Sequence, residues 1–124
     1  MREILFRGKR TDNGEWVEGY ISIDKYSGKA TINNSVMYHS VIPETVSQFT
    51  GMHDKNGKKV FEGDVCTYLD SDRMSEDVFT NKGVVEFCDW GFYLTNRYEV
   101  DMSDISSDDI EVIGNIYEKE VNND

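Results

Sequence analysis

The sequence predicts an all-β protein, on three observations. Strand-like runs recur about every eight to twelve residues. Turn-forming clusters stand between them, at Thr11-Asp12-Asn13-Gly14, Asp24 to Gly28, Asn34-Ser35, Asp54 to Gly57 and Glu62-Gly63-Asp64. Apolar spacing nowhere sustains a helix of three turns.

Taken in order, residues 2–7 predict a first strand closed by Gly8, and Glu15 to Ile23 a second. Trp16, Glu18 and Tyr20 would share one face of that second strand, and Val17, Ile21 and Ile23 the other. Short strands follow at Ala30–Asn33 and Val36–Ile42. Pro43-Glu44-Thr45-Val46 breaks the rhythm, since proline suits the first position of a helical turn. Phe49–Met52 and Lys59–Phe61 flank the Asn56-Gly57 reversal, where residues tolerant of positive φ are needed. Val65–Leu69 is the next strand, before a polar loop at residues 70–76. Gly83–Cys88 and Phe92–Thr95 form a hairpin around Asp89-Trp90-Gly91. Met102 to Asp109, rich in Ser and Asp, holds a short helical turn; Ile110–Tyr117 closes the fold, and residues 121–124 form a frayed tail. The expectation is a small N-terminal β meander (1–42) plus an SH3-like, partly open barrel (43–124). Together they would make one compact unit with at most one or two short helical turns.

Gln48-Phe49-Thr50-Gly51, Asp54-Lys55-Asn56-Gly57-Lys58 and Phe61-Glu62-Gly63-Asp64-Val65 together resemble the core signature of the YopX family. The opening Met1 to Gly8 is similar to that family's start, and Ile110 to Glu118 to its close. The three pieces lie in family order, so the resemblance covers nearly the whole chain; it is weakest between residues 66 and 109. It implies a small, mostly β protein encoded by phages and prophages. It implies a fold and a genomic setting rather than a mechanism.

Composition narrows the function classes. The 124 residues suffice for a core without disulfide staples. No apolar run approaches the length of a membrane span, and the N-terminus lacks the apolar segment of a signal peptide. A cytoplasmic location in a bacterial host is expected. Residues 1–62 carry nine Lys/Arg and eight Asp/Glu; residues 63–124 carry four and sixteen. The net charge of −11 therefore lies in the second half, which would repel phosphate and argues against direct nucleic-acid binding.

Motifs for chemistry are absent from the sequence. There is no phosphate-binding glycine loop and no arguable Ser-His-Asp set, so no catalytic or cofactor-binding residue is assigned. Cys66 and Cys88 lack zinc-ligand spacing with each other or with His39 and His53, and both cysteines are expected as small residues buried on strands. His53 fits an exposed strand edge. Asp70-Ser71-Asp72, with Glu76 and Asp77, lacks the glycine and final acid of a calcium loop. No metal site is assigned. Asp101, Asp104, Asp108 and Asp109 form a second acidic cluster, of the type that caps helical turns. Trp90, beside Asp89 in an expected turn, is placed as an anchor for a partner. Trp90, Asp89, Asp101, Asp104, Asp108 and Asp109 are therefore the candidate partner-binding residues.

The expectation from sequence is a non-enzymatic, protein-binding adaptor, whose acidic second half suits either a basic partner or simply a solvated face, with self-association through exposed edge strands. The alternative is an acidic DNA mimic that inhibits a host nucleic-acid-binding protein. A small metal-dependent enzyme is the third and weakest reading.

Overall fold

A computed structural model describes residues 4–71, 77–88, 91–96 and 99–118. Residues 2–3 of the expected first strand, most of the loop at 70–76, Asp89 and Trp90, and the tail at 121–124 lie outside the described residues. The chain is all-β, with two antiparallel sheets that do not close into a barrel. Three single 3-10 turns occur among the described residues, Pro43–Thr45, Met102–Asp104 and Ser107–Asp109, where the sequence indicated one or two. The chain divides into two compact units, residues 1–51 and 52–124.

The first unit contains β1 (Phe6–Lys9), β2 (Trp16–Ile23), β3 (Ala30–Asn33) and β4 (Tyr38–Val41), with β5 (Ser47–His53) carrying the chain onward. They lie in the order β4-β3-β2-β1-β5. Gly8 does not end β1; it is an interior strand residue packed on Val41 and Ile32. Alternation is strict in β3, where Ala30 and Ile32 point into a small core with Val41, flanked by Val17, Ile21 and Val46. Tyr20 lies on the opposite, outward face of β2. Arg7 is buried on that same outer side: its Nε donates to Ser47 Oγ at 3.0 Å, and its guanidinium lies 4.6 Å from the Trp16 ring centroid. The Pro43–Thr45 turn is tied to β1, because Thr45 Oγ1 accepts from the Lys9 amide (2.9 Å) and donates to the Ile42 carbonyl (2.7 Å). The outer edge of β4 is also partly covered, since Thr11 N donates to Ser40 O and Ile42 N to Lys9 O.

The second unit begins within β5 and continues through β6 (Lys59–Phe61), β7 (Asp64–Ser71), β8 (Val78–Cys88), β9 (Gly91–Thr95), β10 (Glu99–Asp101) and β11 (Ile110–Asn115). Its sheet order is β10-β9-β8-β7-β11. The core consists of Val60, Cys66, Tyr68, Val85, Phe92, Leu94, Met102 and Ile110. Cys66 and Tyr68 alternate inward along β7 and Phe92 and Leu94 along β9, as a sheet with one buried face requires, while Val85 comes from β8, Val60 from β6, Met102 from its turn and Ile110 from β11. Strand β8 begins earlier than its apolar run suggested, because its first three residues are exposed and paired with β7. Cys66 is fully buried, whereas Cys88 is only half-buried at the end of β8.

Two aspartates hold this unit's turns. Asp54 is 5% exposed. Its Oδ1 accepts from the amides of Asn56 and Lys58, both at 2.9 Å, fixing the reversal in which Gly57 takes φ +81°. Its Oδ2 accepts from the amide of Val112 on β11, also at 2.9 Å. Lys55 N donates to Ile110 O at 2.9 Å beside it. The turn thus stands where a further strand would pair with β11. Burial works to raise the Asp54 pKa, but the three amides outweigh it and hold the carboxyl below its ordinary value. Asp64, 1% exposed, accepts from the Phe61 amide at 2.8 Å and closes the Glu62-Gly63 step. Gly63 there has φ +89°, and a Cβ would sit 2.7 Å from the Tyr117 ring.

Two outcomes follow for stability. Asp54→Asn keeps an acceptor for the turn amides but turns an amide donor toward Val112 N–H; it should cost about 2 kcal/mol by urea denaturation. Because the folded pKa is depressed, the wild-type carboxylate's contribution is present in full above the unfolded value, about 3.9. It is lost as pH falls through the lower folded value, so Asp54→Asn should have a shallower acid-side loss of stability. Gly63→Ala, strained in backbone and pressed on Tyr117, should cost about 2 kcal/mol in the same assay.

Candidate functional site

The concave surface of the second unit that combines charge with exposed apolar groups is built at one end of β7 and β8. The extended backbone of β7 carries Leu69 and Asp70 there, and β8 brings Val78 opposite Ser71 in register. Val100 of β10 and the segment that follows it complete the other wall with Asp104, Ile105 and Asp109. The groove has a volume of about 540 Å³. Its apolar components are Leu69, Val78, Val100 and Ile105, and its charged ones are all aspartates. A neighbouring depression shares Leu69 and Asp109 and adds Asp108, Glu111 and Lys55.

The geometry of the wall comes from caps. Asp101 N-caps the Met102–Asp104 turn, its Oδ1 accepting from Ser103 N (2.9 Å) and Ser103 Oγ (2.8 Å). Those bonds hold its carboxyl below the usual carboxylate range. Ser106 caps the Ser107–Asp109 turn through its hydroxyl, which accepts from Asp108 N at 3.3 Å. Buried Met102 and half-buried Ile105 root the segment in the core. Asp104, Asp108 and Asp109 are then left to face the two depressions.

The surrounding electrostatics reinforce the negative sign. Lys55 is the single cation lining either depression among the described residues, and it is engaged with Glu111 at 3.3 Å. Asp70 accepts from Asn81 Nδ2 at 3.1 Å, which orients it beside the core. Burial, and then the Asp70 charge, push the Tyr68 hydroxyl above its ordinary pKa.

Of the residues singled out from sequence, the structure brings Asp104 and Asp109 to the groove and Asp108 to the adjoining depression. Asp101 is used as a cap instead. Asp89 and Trp90 lie outside the described residues. Leu69, Asp70, Val78, Val100 and Ile105 were not singled out as site residues. Their signal was local and ambiguous, because each looks like an ordinary strand or loop residue until β7, β8 and the capped turns meet. Among the described residues, no group of three or more His, Cys, Asp or Glu side chains is placed to hold a metal ion. His53 ends β5 at an exposed position, and His39 is buried with its Nε2 3.3 Å from Asn34 Nδ2. No helix among the described residues is long and apolar enough to cross a membrane.

Comparison with known proteins supplies a family and a fold. The family model described as YopX protein matches residues 5–121. No curated protein matches the chain. The crystal structure of protein EF1440 from Enterococcus faecalis is similar with a TM-score of 0.57 and 20% sequence identity, over 97% of this chain and 97% of that one. Likeness at that identity is likeness of fold.

Proposed function

The chain belongs to the YopX protein family, and from that premise we propose that it is a phage- or prophage-encoded accessory protein that binds another protein and performs no catalysis. It would act in the cytoplasm of the bacterial host. The single observation that carries this reading is the groove of Leu69, Asp70, Val78, Val100, Asp104, Ile105 and Asp109. A groove lined by both apolar side chains and aspartates fits a basic protein segment that places an aliphatic or aromatic side chain beside Lys or Arg residues. Asp54 and Asp101 accept hydrogen bonds from backbone amides, so their lowered pKa values have structural causes.

A second reading is the DNA mimic. It is favoured by the gathering of Asp70, Asp104, Asp108, Asp109 and Glu111 around two adjoining depressions. The apolar lining distinguishes the two, since nucleic-acid sites recognise charge spacing, whereas an inserted apolar side chain resists salt.

Capture from nuclease-treated bacterial lysate at low and high salt is the test. The adaptor reading expects one near-stoichiometric partner that weakens with salt but is retained, and that is lost when Asp104→Lys and Asp109→Lys are combined. A partner that is released completely by salt and displaced by duplex DNA would favour the mimic. A partner indifferent to the double substitution would overturn the groove as the site.

A further inference from the structure

The turn between β3 and β4 is closed mainly by side chains. Its backbone bond, Asn34 N to Met37 O, is 3.3 Å, long for an amide and a carbonyl. Asn34 Oδ1 accepts from two further amides, Val36 N at 3.0 Å and Met37 N at 3.1 Å. Asn33 Oδ1 accepts from Ser35 N at 2.9 Å. Between them these bonds hold Ser35 at φ +78°, a conformation that costs energy in a residue other than glycine. A strained turn kept shut by one amide side chain opens when that side chain is turned to another use.

The other use lies next to it. With Oδ1 committed to the turn amides, Asn34 can offer only Nδ2, a donor, to its remaining neighbour. That neighbour is Nε2 of His39, 3.3 Å away. Nε2 must therefore accept, which puts the neutral ring's proton on Nδ1. His39 is buried on the inward side of β4, opposite Ile32. Gly8 on β1, Gly19 and Ile21 on β2, and Ala30 and Ile32 on β3 share that side, and none of them titrates. The charged residues of β1 and β2, Arg7, Lys9 and Glu18, stand on the outward side. Arg10 beyond them is paired with Asp12 at 2.7 Å, and Glu44 in the Pro43–Thr45 turn is exposed. Between Lys29 and Glu44 the chain has no Asp, Glu, Lys or Arg, and Tyr38 faces outward. Asn34 is thus the polar side chain bonded to His39 Nε2, and it meets that nitrogen with a donor.

We infer that Asn34 and His39 form a proton-sensitive latch: the neutral imidazole holds the β3–β4 turn closed, and a proton taken from solvent onto Nε2 releases it. An imidazolium carries N–H on both ring nitrogens, so the protonated ring would set a donor against the donor of Asn34. The pair is satisfied again when the Asn34 amide turns over and presents Oδ1 to the ring. That rotation brings Nδ2 to the amides of Val36 and Met37, which then lose their acceptor. Ser35 loses at the same time the bonds that hold its positive φ, and the turn relaxes. Asn34 cannot serve both partners at once, and this exclusion couples the ring's charge to the backbone of the turn. Loss of the proton from Nε2 restores the closed form.

Nitrogen-15 NMR of the full chain, titrated from about pH 8 to about pH 5, tests this across the range in which imidazoles take up a proton. At the alkaline end the His39 ring should be the Nδ1–H tautomer with Nε2 bare. On acidification the Val36 and Met37 amide signals should shift along the His39 curve and lose hydrogen-exchange protection, after correction for the intrinsic effect of pH. The chain's other histidine, His53, identifies any general response to acid. His39→Gln supplies an acceptor that does not titrate, so the turn should stay closed throughout. Asn34→Asp, at an exposed position where folding is not at stake, removes the donor, so its carboxylate should instead be drawn to the protonated ring while still accepting from the turn. The sign then reverses, and protection of the Val36 and Met37 amides should rise as pH falls. An Nε2–H tautomer in the neutral ring, turn amides that ignore the His39 curve, or an Asn34→Asp chain that responds to pH as the wild type does would each overturn the latch.

Discussion

The second unit depends on one carboxylate. Asp54 Oδ1 organises its own turn and Oδ2 reaches an amide 58 residues later in the chain. A buried carboxylate that lost these donors would carry a large desolvation cost, and the β11 edge would lose the groups that satisfy it. Lys55 N completes the cover by donating to Ile110 O. The sheet therefore ends at a turn rather than at an open ladder. The register shift between Val112 and Gly114 follows immediately, and from there Ile116 N finds Gly63 O. The Asp54 turn and the Asp64 turn thus both bear on how the closing strand is seated. The wall of the groove is continuous with that strand, since Ser107–Asp109 leads directly into Ile110.

Much of the fold was legible because its signals are local. The bounds of β3 and β6 match the sequence expectation, and the Pro43 turn and the Asn56-Gly57 reversal are where residue chemistry put them. Misplaced boundaries run both ways: β4 (Tyr38–Val41) and β11 (Ile110–Asn115) are shorter than expected, with Val36 and Met37 held at the turn by Asn34, whereas elsewhere pairing extended a strand beyond its apolar run. Val78–Thr80 are exposed yet pair with Leu69–Ser71, and Gly8 continues β1 because it packs closely on Val41. Strand β10 is short and was not foreseen, for its residues carry no alternation long enough to see. The domain boundary was placed at Pro43 by composition, whereas the contacts divide the chain after Gly51, within β5.

The candidate site was legible only in part, for a different reason. Sequence reasoning can see an acidic cluster, and Asp104, Asp108 and Asp109 were visible that way. It could not see that Asp101 would be consumed as a cap while its neighbours stayed outward, since that depends on the backbone of a single 3-10 turn. Nor could it join Leu69, Asp70 and Val78 to Asp104, Ile105 and Asp109, which only the folded sheet brings together. The Asp54–Val112 bond belongs to the same class of information: the turn was evident, its long-range partner was not.

The groove of the second unit is lined by aspartates, so its affinity for a basic partner would fall with salt. Function through the groove is the central claim, and hydrogen–deuterium exchange on the chain alone and in complex with its captured partner tests it most directly. The account predicts slower exchange at residues 69–70 and 100–109, with the β3–β4 turn unaffected by that partner. Protection confined to other segments, or a complex that leaves residues 100–109 exchanging as in the unbound chain, would contradict it.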